Sequence, residues 1–235
     1  ALVVFLDVVR SNVARVIELC GGDPDRWRPH LKTTKTPAVW TELFAAGIRQ
    51  FKCATPLEAE LLLETATELG ERADLLVAYP HVGPNLERLG LLAARFCDQR
   101  LSVLVETPEA ARSAPASLGL AVDLNPGMDR TGIPLEDVER FWRTCDAAGE
   151  RLSALHFYDG HETGPHQSRR VQLCAGYERV LERFAALRER HPSVGELITS
   201  GSPAFASALA FAPFAELGEP KHRVSPGTVV LHDLR

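Results

Sequence analysis

IRQFKCATPLEAELLLETATELG, residues 48–70, is the stretch that decides the fold. Its first residues, 48–54, are a short β-type run. Thr55, Pro56 and Glu58 then mark a helix start: a capping hydroxyl, a proline at the first helical position and a capping-box glutamate. Residues 56–69 continue as a helix. The same strand-then-helix unit recurs along the chain. Further β-type runs fall near 28–33, 74–79, 101–106, 119–124, 152–158, 196–200 and 223–231. Helical stretches lie near 37–46, 84–97, 108–113, 134–148, 167–190 and 203–209. Thr36-Pro37, Thr107-Pro108 and Ser202-Pro203 repeat the cap–proline device. Counting from Arg28 gives eight strands, the number that closes a (β/α)8 TIM-type barrel. A doubly wound open sheet is the alternative.

Ahead of these units, residues 2–7 (Leu-Val-Val-Phe-Leu-Asp) form a surplus β-type run. Ser11 follows as a cap, and Val13, Val16, Ile17 and Cys20 share one helical face. The expected division is therefore an N-terminal strand segment, 1–10, and a barrel, 11–235.

Active residues of such barrels stand at the C-terminal ends of strands. Arg28, His30 and Lys32 alternate along the 28–33 run, which puts them on one face toward the barrel mouth or an ion-pair network. A desolvated lysine there tends toward the free amine that Schiff-base formation with an aldehyde requires. Spacing alone leaves a structural ion pair as the alternative. Lys35 is the rival lysine. Ser200-Gly201-Ser202-Pro203 runs from a strand into a helix start whose free N–H groups suit an anion. Ser225-Pro226-Gly227-Thr228 adds a second small-residue turn, and phosphate binding after strands seven and eight is the habit of these barrels. Arg130 is suited to a phenolate or carboxylate. Tyr158, His156 and His161 are candidates for proton transfer.

The 235 residues fit one large domain. With 26 basic and 31 acidic residues, a net charge of −5 and no basic cluster, nothing points to nucleic acid or a membrane surface. No apolar run approaches membrane-spanning length. Five cysteines without a CxxC read as buried free thiols of a reducing cytoplasm.

Taken in order, RPHLKTTK (28–35), FKCATPLEAELL (51–62), GMDRTG (127–132), HFYDGH (156–161), SGSPAF (200–205) and SPGTVVLHD (225–233) resemble the D-threonine aldolase/D-serine dehydratase family. These are fold-type III pyridoxal-phosphate enzymes with the barrel of the alanine racemase N-terminal domain. The resemblance covers essentially the whole chain. It implies pyridoxal 5′-phosphate held as an internal aldimine on Lys32, with Arg130 near the ring. It places Tyr158 and His161 in the pocket, and the phosphate at Ser200, Gly201, Ser202, Gly227 and Thr228. His30 and His156, from the same motifs, join the expected cofactor site. The implied activity is that of a lyase on a small β-hydroxy-D-amino acid, most closely retro-aldol cleavage of D-threonine. D-serine dehydratase and racemase activities are alternatives, as is a non-catalytic pyridoxal-phosphate-binding protein of cofactor homeostasis.

Three positions depart from the pattern: Thr34 where the family has histidine, Ser202 where many members have glycine or threonine, and Val229 where some have tyrosine. Family members also continue into a β-rich second domain that shapes the homodimer and supplies ligands for a divalent metal. This chain is therefore expected to be part of a longer protein. Its 1–10 segment would pair with that domain, and the 11–235 barrel carries no metal site of its own.

Overall fold

The computed structural model describes residues 3–161, 166–219 and 221–231. In chain order the elements are α1 (Leu6–Leu19), α2 (Pro37–Ala45), β1 (Gln50–Cys53), α3 (Pro56–Glu68), β2 (Asp74–Val77), α4 (Pro84–Arg95), β3 (Arg100–Val105), α5 (Pro108–Ser113), β4 (Gly119–Asn125), β5 (Ile133–Pro134), α6 (Val138–Ala148), β6 (Leu152–Phe157), α7 (His166–Arg190), β7 (Glu196–Thr199), α8 (Phe205–Leu209), α9 (Ala212–Ala215) and β8 (Lys221–Val224). The alternating α/β pattern read from the sequence is thus present. Every strand pairing is parallel, in the order β1-β2-β3-β4-β6-β7-β8, with the two-residue β5 beside β4.

The sheet closes through a seam rather than a full strand. Trp27 bridges Val224 on one side and His30 bridges Lys52 on the other. The Arg28 N–H donates to the Val224 carbonyl at 2.9 Å, and the Lys52 N–H donates to the Pro29 carbonyl at 2.9 Å. Pro29 has no N–H to extend a ladder, and Leu31–Thr33 turns at once into a 3-10 helix. The strand expected over 28–33 is therefore two bridges and a turn, and strict alternation stops at His30.

Two further expectations are corrected. Leu6 and Asp7 begin helix α1, whose Val9, Val13 and Val16 are buried, so the run over 2–7 is not a strand among the described residues. The helical spacing of those valines outweighs the local β propensity. The division at residue 10 falls inside this helix. Likewise β8 ends at Val224, and Thr228–Val230 is a 3-10 turn rather than strand.

Local chemistry explains the helix starts. The Thr55 hydroxyl accepts from the Glu58 N–H at 3.2 Å, and the Glu58 carboxylate accepts from the Ala54 N–H at 2.8 Å. The Thr107 hydroxyl caps α5 through the Ala110 N–H at 3.0 Å. Thr36 makes no such bond. Ser202-Pro203 sits in a turn, and α8 begins only at Phe205.

Core packing divides at the sheet. The larger apolar cluster fills the space between strands and helices, and Leu76, Leu104, Ala121, Ala154 and Ile198 form a smaller cluster of their own. The register pairs Asp123 with His156, alongside Ala121 with Ala154. Alternation therefore puts Asp123 and His156 on the face of the small cluster, one step nearer the C-terminal ends of the strands. Of the five cysteines, Cys20, Cys53 and Cys145 are buried, whereas Cys97 is exposed and Cys174 partly so; none is paired. No helix among the described residues is long and apolar enough to cross a membrane.

His222 of β8 stacks on Phe214 with ring centroids 3.9 Å apart, and its Nε2 lies 2.8 Å from the Thr199 hydroxyl. Burial holds its pKa down to about 3. As pH falls through the unfolded value, the unfolded imidazole takes up a proton that the folded one refuses. The contribution is full above the unfolded pKa and is lost toward the folded one. Between pH 7 and pH 5 the expected loss from this residue is about 2 kcal/mol. Urea titrations at both pH values should show that share missing in His222→Leu.

Candidate active site

The C-terminal ends of the strands bring most of the predicted residues together. His30 ends the seam and is buried. Its Nδ1 accepts from the Lys32 backbone N–H at 3.3 Å, which leaves Nε2 as the protonated nitrogen of the neutral ring. Burial, then the charge of Lys52, pushes its pKa down to about 2. Lys32 follows on the 3-10 turn and is exposed at the mouth. Its pKa is still lowered, first by partial burial and then by Arg130. Lys35, the rival lysine, pairs with Glu58 at 3.4 Å. Thr34, in the position where the family pattern has histidine, accepts from the Trp40 indole N–H at 2.9 Å and so anchors the turn to α2.

Tyr158 stands just past β6. The Arg130 guanidinium and the Lys52 ammonium nitrogen each lie 5.2 Å from its ring centre. Burial raises the pKa of its phenol. Two glycines make room for the ring. A Cβ on Gly201 would lie 2.7 Å from Tyr158, and one on Gly160 would collide with it. Arg130 projects from a loop held by the Asn125 side chain, whose Oδ1 accepts from the N–H groups of Gly127 (2.9 Å) and Asp129 (3.1 Å). His161 is beside that loop: a Cβ on Gly127 would sit 3.5 Å from its Nε2.

The two small-residue turns are adjacent, because the Ser225 N–H donates to the Ser200 carbonyl at 2.8 Å. Among the described residues, no backbone acceptor takes the N–H of Gly201, Ser202, Gly227 or Thr228. A Cβ on Gly227 would collide with the His30 carbonyl, so only glycine lets this turn lie against the seam. Four N–H groups on two abutting turns, without a backbone acceptor among the described residues, make a candidate anion cradle that needs no long helix dipole. The Ser200 hydroxyl is engaged elsewhere. It donates to Asp159 at 2.7 Å, beside the Tyr177 hydroxyl, which donates to the same oxygen at 2.8 Å. Asp159 is buried, and burial raises its pKa.

One feature of the site escaped the sequence reading. Lys52, from β1, is 1% exposed and donates to the Ser225 hydroxyl at 2.6 Å, with His156 Nε2 at 3.1 Å. The other nitrogen of His156 lies 2.6 Å from Asp123. Burial, then Lys32, lowers the Lys52 pKa to about 7. The signal was present: a lysine between Phe51 and Cys53, and an aspartate inside Ala-Val-Asp-Leu, are charges within apolar strands, which demand partners.

The arrangement fits a phosphorylated aldehyde. The two turns could receive a phosphate, and a primary amine of lowered basicity stands at the mouth with Tyr158 and Arg130 close by. Among the described residues no cluster of His, Cys, Asp or Glu is disposed to hold a metal ion.

Comparison with known proteins places the chain independently. Residues 4–228 match the family model described as alanine racemase, N-terminal domain. The D-threo-3-hydroxyaspartate dehydratase of Delftia sp. (strain HT23) is 26% identical over 190 residues, which are 77% of this chain and 48% of that protein. Among solved structures, D-threonine aldolase from Filomicrobium marinum superposes with a TM-score of 0.80 at 23% identity, covering 97% of this chain and 61% of the other. The Delftia dehydratase superposes with a TM-score of 0.75 at 22% identity, covering 97% and 60%. The chain thus spans about half the length of the curated relative it matches.

Proposed function

The chain belongs to the alanine racemase N-terminal domain family, and from that premise we propose that it is the cofactor barrel of a pyridoxal-phosphate-dependent lyase acting on β-hydroxy-D-amino acids, in the manner of D-threonine aldolase. One observation carries the reading: two abutting turns, whose four N–H groups have no backbone acceptor among the described residues, lie against the seam that leads into Lys32, an amine of lowered pKa. The family match alone supports the cofactor. The dehydratase and aldolase relatives support the β-hydroxy-D-amino acid.

Lys32 is the residue for the aldehyde carbon. Lys52 is unsuited to it, because its amine is fully buried and already engaged with His156 and Ser225. Gly201, Ser202, Gly227 and Thr228 hold the phosphate through backbone N–H groups. Tyr158 presents a flat face beside the turn, and Arg130 keeps a positive charge over that face. His30, neutral and fixed by the seam, offers an Nε2–H donor at the mouth. Tyr158 and His161 remain the side chains proposed to move substrate protons. When bound, pyridoxal phosphate supplies an electron sink for charge developing at the substrate Cα. The reading carries with it a homodimer in the cytoplasm, and a divalent metal held with residues outside this barrel.

The test is to load the protein with pyridoxal phosphate and offer D-threonine, D-serine and D-alanine, with and without Mn²⁺. Glycine and acetaldehyde from D-threonine are the expected products. Pyruvate from D-serine would move the assignment to a dehydratase, and L-alanine from D-alanine to a racemase. A visible imine band with no product from any of the three would leave a cofactor-binding protein.

A further inference from the structure

A fully buried lysine is rare and is kept only where its neighbours compensate it. The groups around Lys52 come from every side of the barrel interior. His156 (β6) is within hydrogen-bond distance, and Asp123 (β4) lies beyond it. Ser225 follows β8. Lys32 and Arg28 from the seam region oppose a charge on Lys52, and Asp123 and Asp159 favour it. The Tyr158 ring covers it at 5.2 Å, and His30 responds to its charge.

The hydrogen bonds fix the direction of the array. With His156 Nδ1–H donating to Asp123, Nε2 is an acceptor facing Lys52. The Ser225 hydroxyl also accepts from Lys52 while donating to the Thr199 carbonyl at 3.0 Å. A neutral amine has two N–H donors, and those two acceptors use both. An ammonium has a third, and the Tyr158 ring at 5.2 Å together with the charges of Asp123 and Asp159 favours that state. Ser225 also opens the Ser225–Thr228 turn, two residues before the free N–H of Gly227. Lys52 is therefore tied to one turn of the anion cradle through the Ser225 hydroxyl.

We propose that Lys52 is a positioning residue of this cavity: held between His156 and Ser225 and linked through His156 to Asp123, its amine takes up the proton that balances an anionic pyridoxal-type ligand in the cradle. The inference rests on the cofactor reading above and adds to it a residue for which neither the motifs nor the comparisons supply a role. No covalent step is involved. One proton moves from solvent to the Lys52 amine as the ligand binds.

The probe is pyridoxine 5′-phosphate, an alcohol that cannot form an imine with Lys32. Its binding to the full chain is measured by calorimetry from pH 6.5 to 8.5, in buffers of differing ionisation enthalpy. The bound anion favours the ammonium, so affinity is highest at the acid end and falls as Lys52 loses its proton. The expected fall for the unsubstituted protein is about tenfold across this range, with net proton uptake near pH 8. Lys52→Met should bind about tenfold more weakly at pH 6.5 and show neither the fall nor the uptake. The ligand's own ionisation is common to both proteins and cancels in the ratio. Asp123→Asn removes a charge that favours the ammonium and should shift the fall to lower pH. It carries the test if Lys52→Met lacks a native circular dichroism spectrum. The same slope and the same uptake in the substituted proteins would overturn this inference alone. No binding by any of the proteins at any pH would overturn the cofactor reading and this inference with it.

Discussion

Lys32→Ala protein mixed with pyridoxal phosphate is expected to show no visible imine band and to lose turnover by on the order of 10³-fold or more, because covalent attachment is removed outright. The phosphate cradle, Tyr158 and Arg130 are untouched, so the variant should still bind the cofactor reversibly through them. Borohydride reduction of the loaded unsubstituted protein should fix the pyridoxyl group on the peptide containing Lys32. Lys52 is the informative control, because burial brings its pKa down to about 7 and so makes its free amine the rival nucleophile. Access decides against it: the Lys52 side chain is buried, whereas Lys32 is exposed at the mouth. A band that survives in Lys32→Ala and vanishes in Lys52→Met would reverse the assignment.

These two lysines also show what the sequence revealed and what it hid. Strand and helix positions were legible because parallel strands covered on both faces are continuous apolar runs, and cap–proline pairs punctuate them. The reading failed where tertiary geometry overrides local pattern. Leu6 and Asp7 belong to a strand-like run, yet they open α1, because buried Val9 extends the helical face of Val13 and Val16 back toward them. The seam looked like a strand until Pro29 and the turn at Leu31–Thr33 cut it to two bridges. Among the candidate site residues, Lys32, His30, Tyr158, Arg130 and the two turns were legible as candidates from motifs and strand ends. Lys52 and Asp123 were not, because their partners lie on other strands: Lys52 meets His156 from 104 residues away, and His156 meets Asp123 from 33. Ser200 shows the converse. Its hydroxyl appeared available to a phosphate, but Asp159 and Tyr177 claim it across the fold.

Arg28→Met is expected to destabilise the protein by about 3–5 kcal/mol, since removing one member of a buried ion pair leaves the other charge uncompensated. Arg28 is 1% exposed. Its Nε and Nη2 form a two-pronged contact with the Glu196 carboxylate, each bond 2.7 Å long. Its Nη1 donates to the Phe51 carbonyl at 3.0 Å and to the Asp74 carbonyl and carboxylate at 3.0 and 3.1 Å. One side chain from the seam therefore ties β1, β2 and β7 together where the backbone provides only two bridges. Arg28→Lys should recover little, because a point charge on a flexible stem cannot make the two-pronged contact and the carbonyl bonds at once. Glu196 is also 3.2 Å from Arg223, so it would not be left wholly unpaired, which favours the lower half of the range. If the cost is that of an orphaned charge, adding Glu196→Leu to Arg28→Met should return a substantial part of it, and a double-mutant cycle in urea would measure the coupling. Equal and additive losses would instead assign the effect to packing. His30 and Lys32 continue from the same seam, so the Arg28 variant should also hold its imine less tightly, with the band lost at lower urea than in the parent. A band that persists unchanged while global stability falls would separate the seam's structural role from the placement of Lys32.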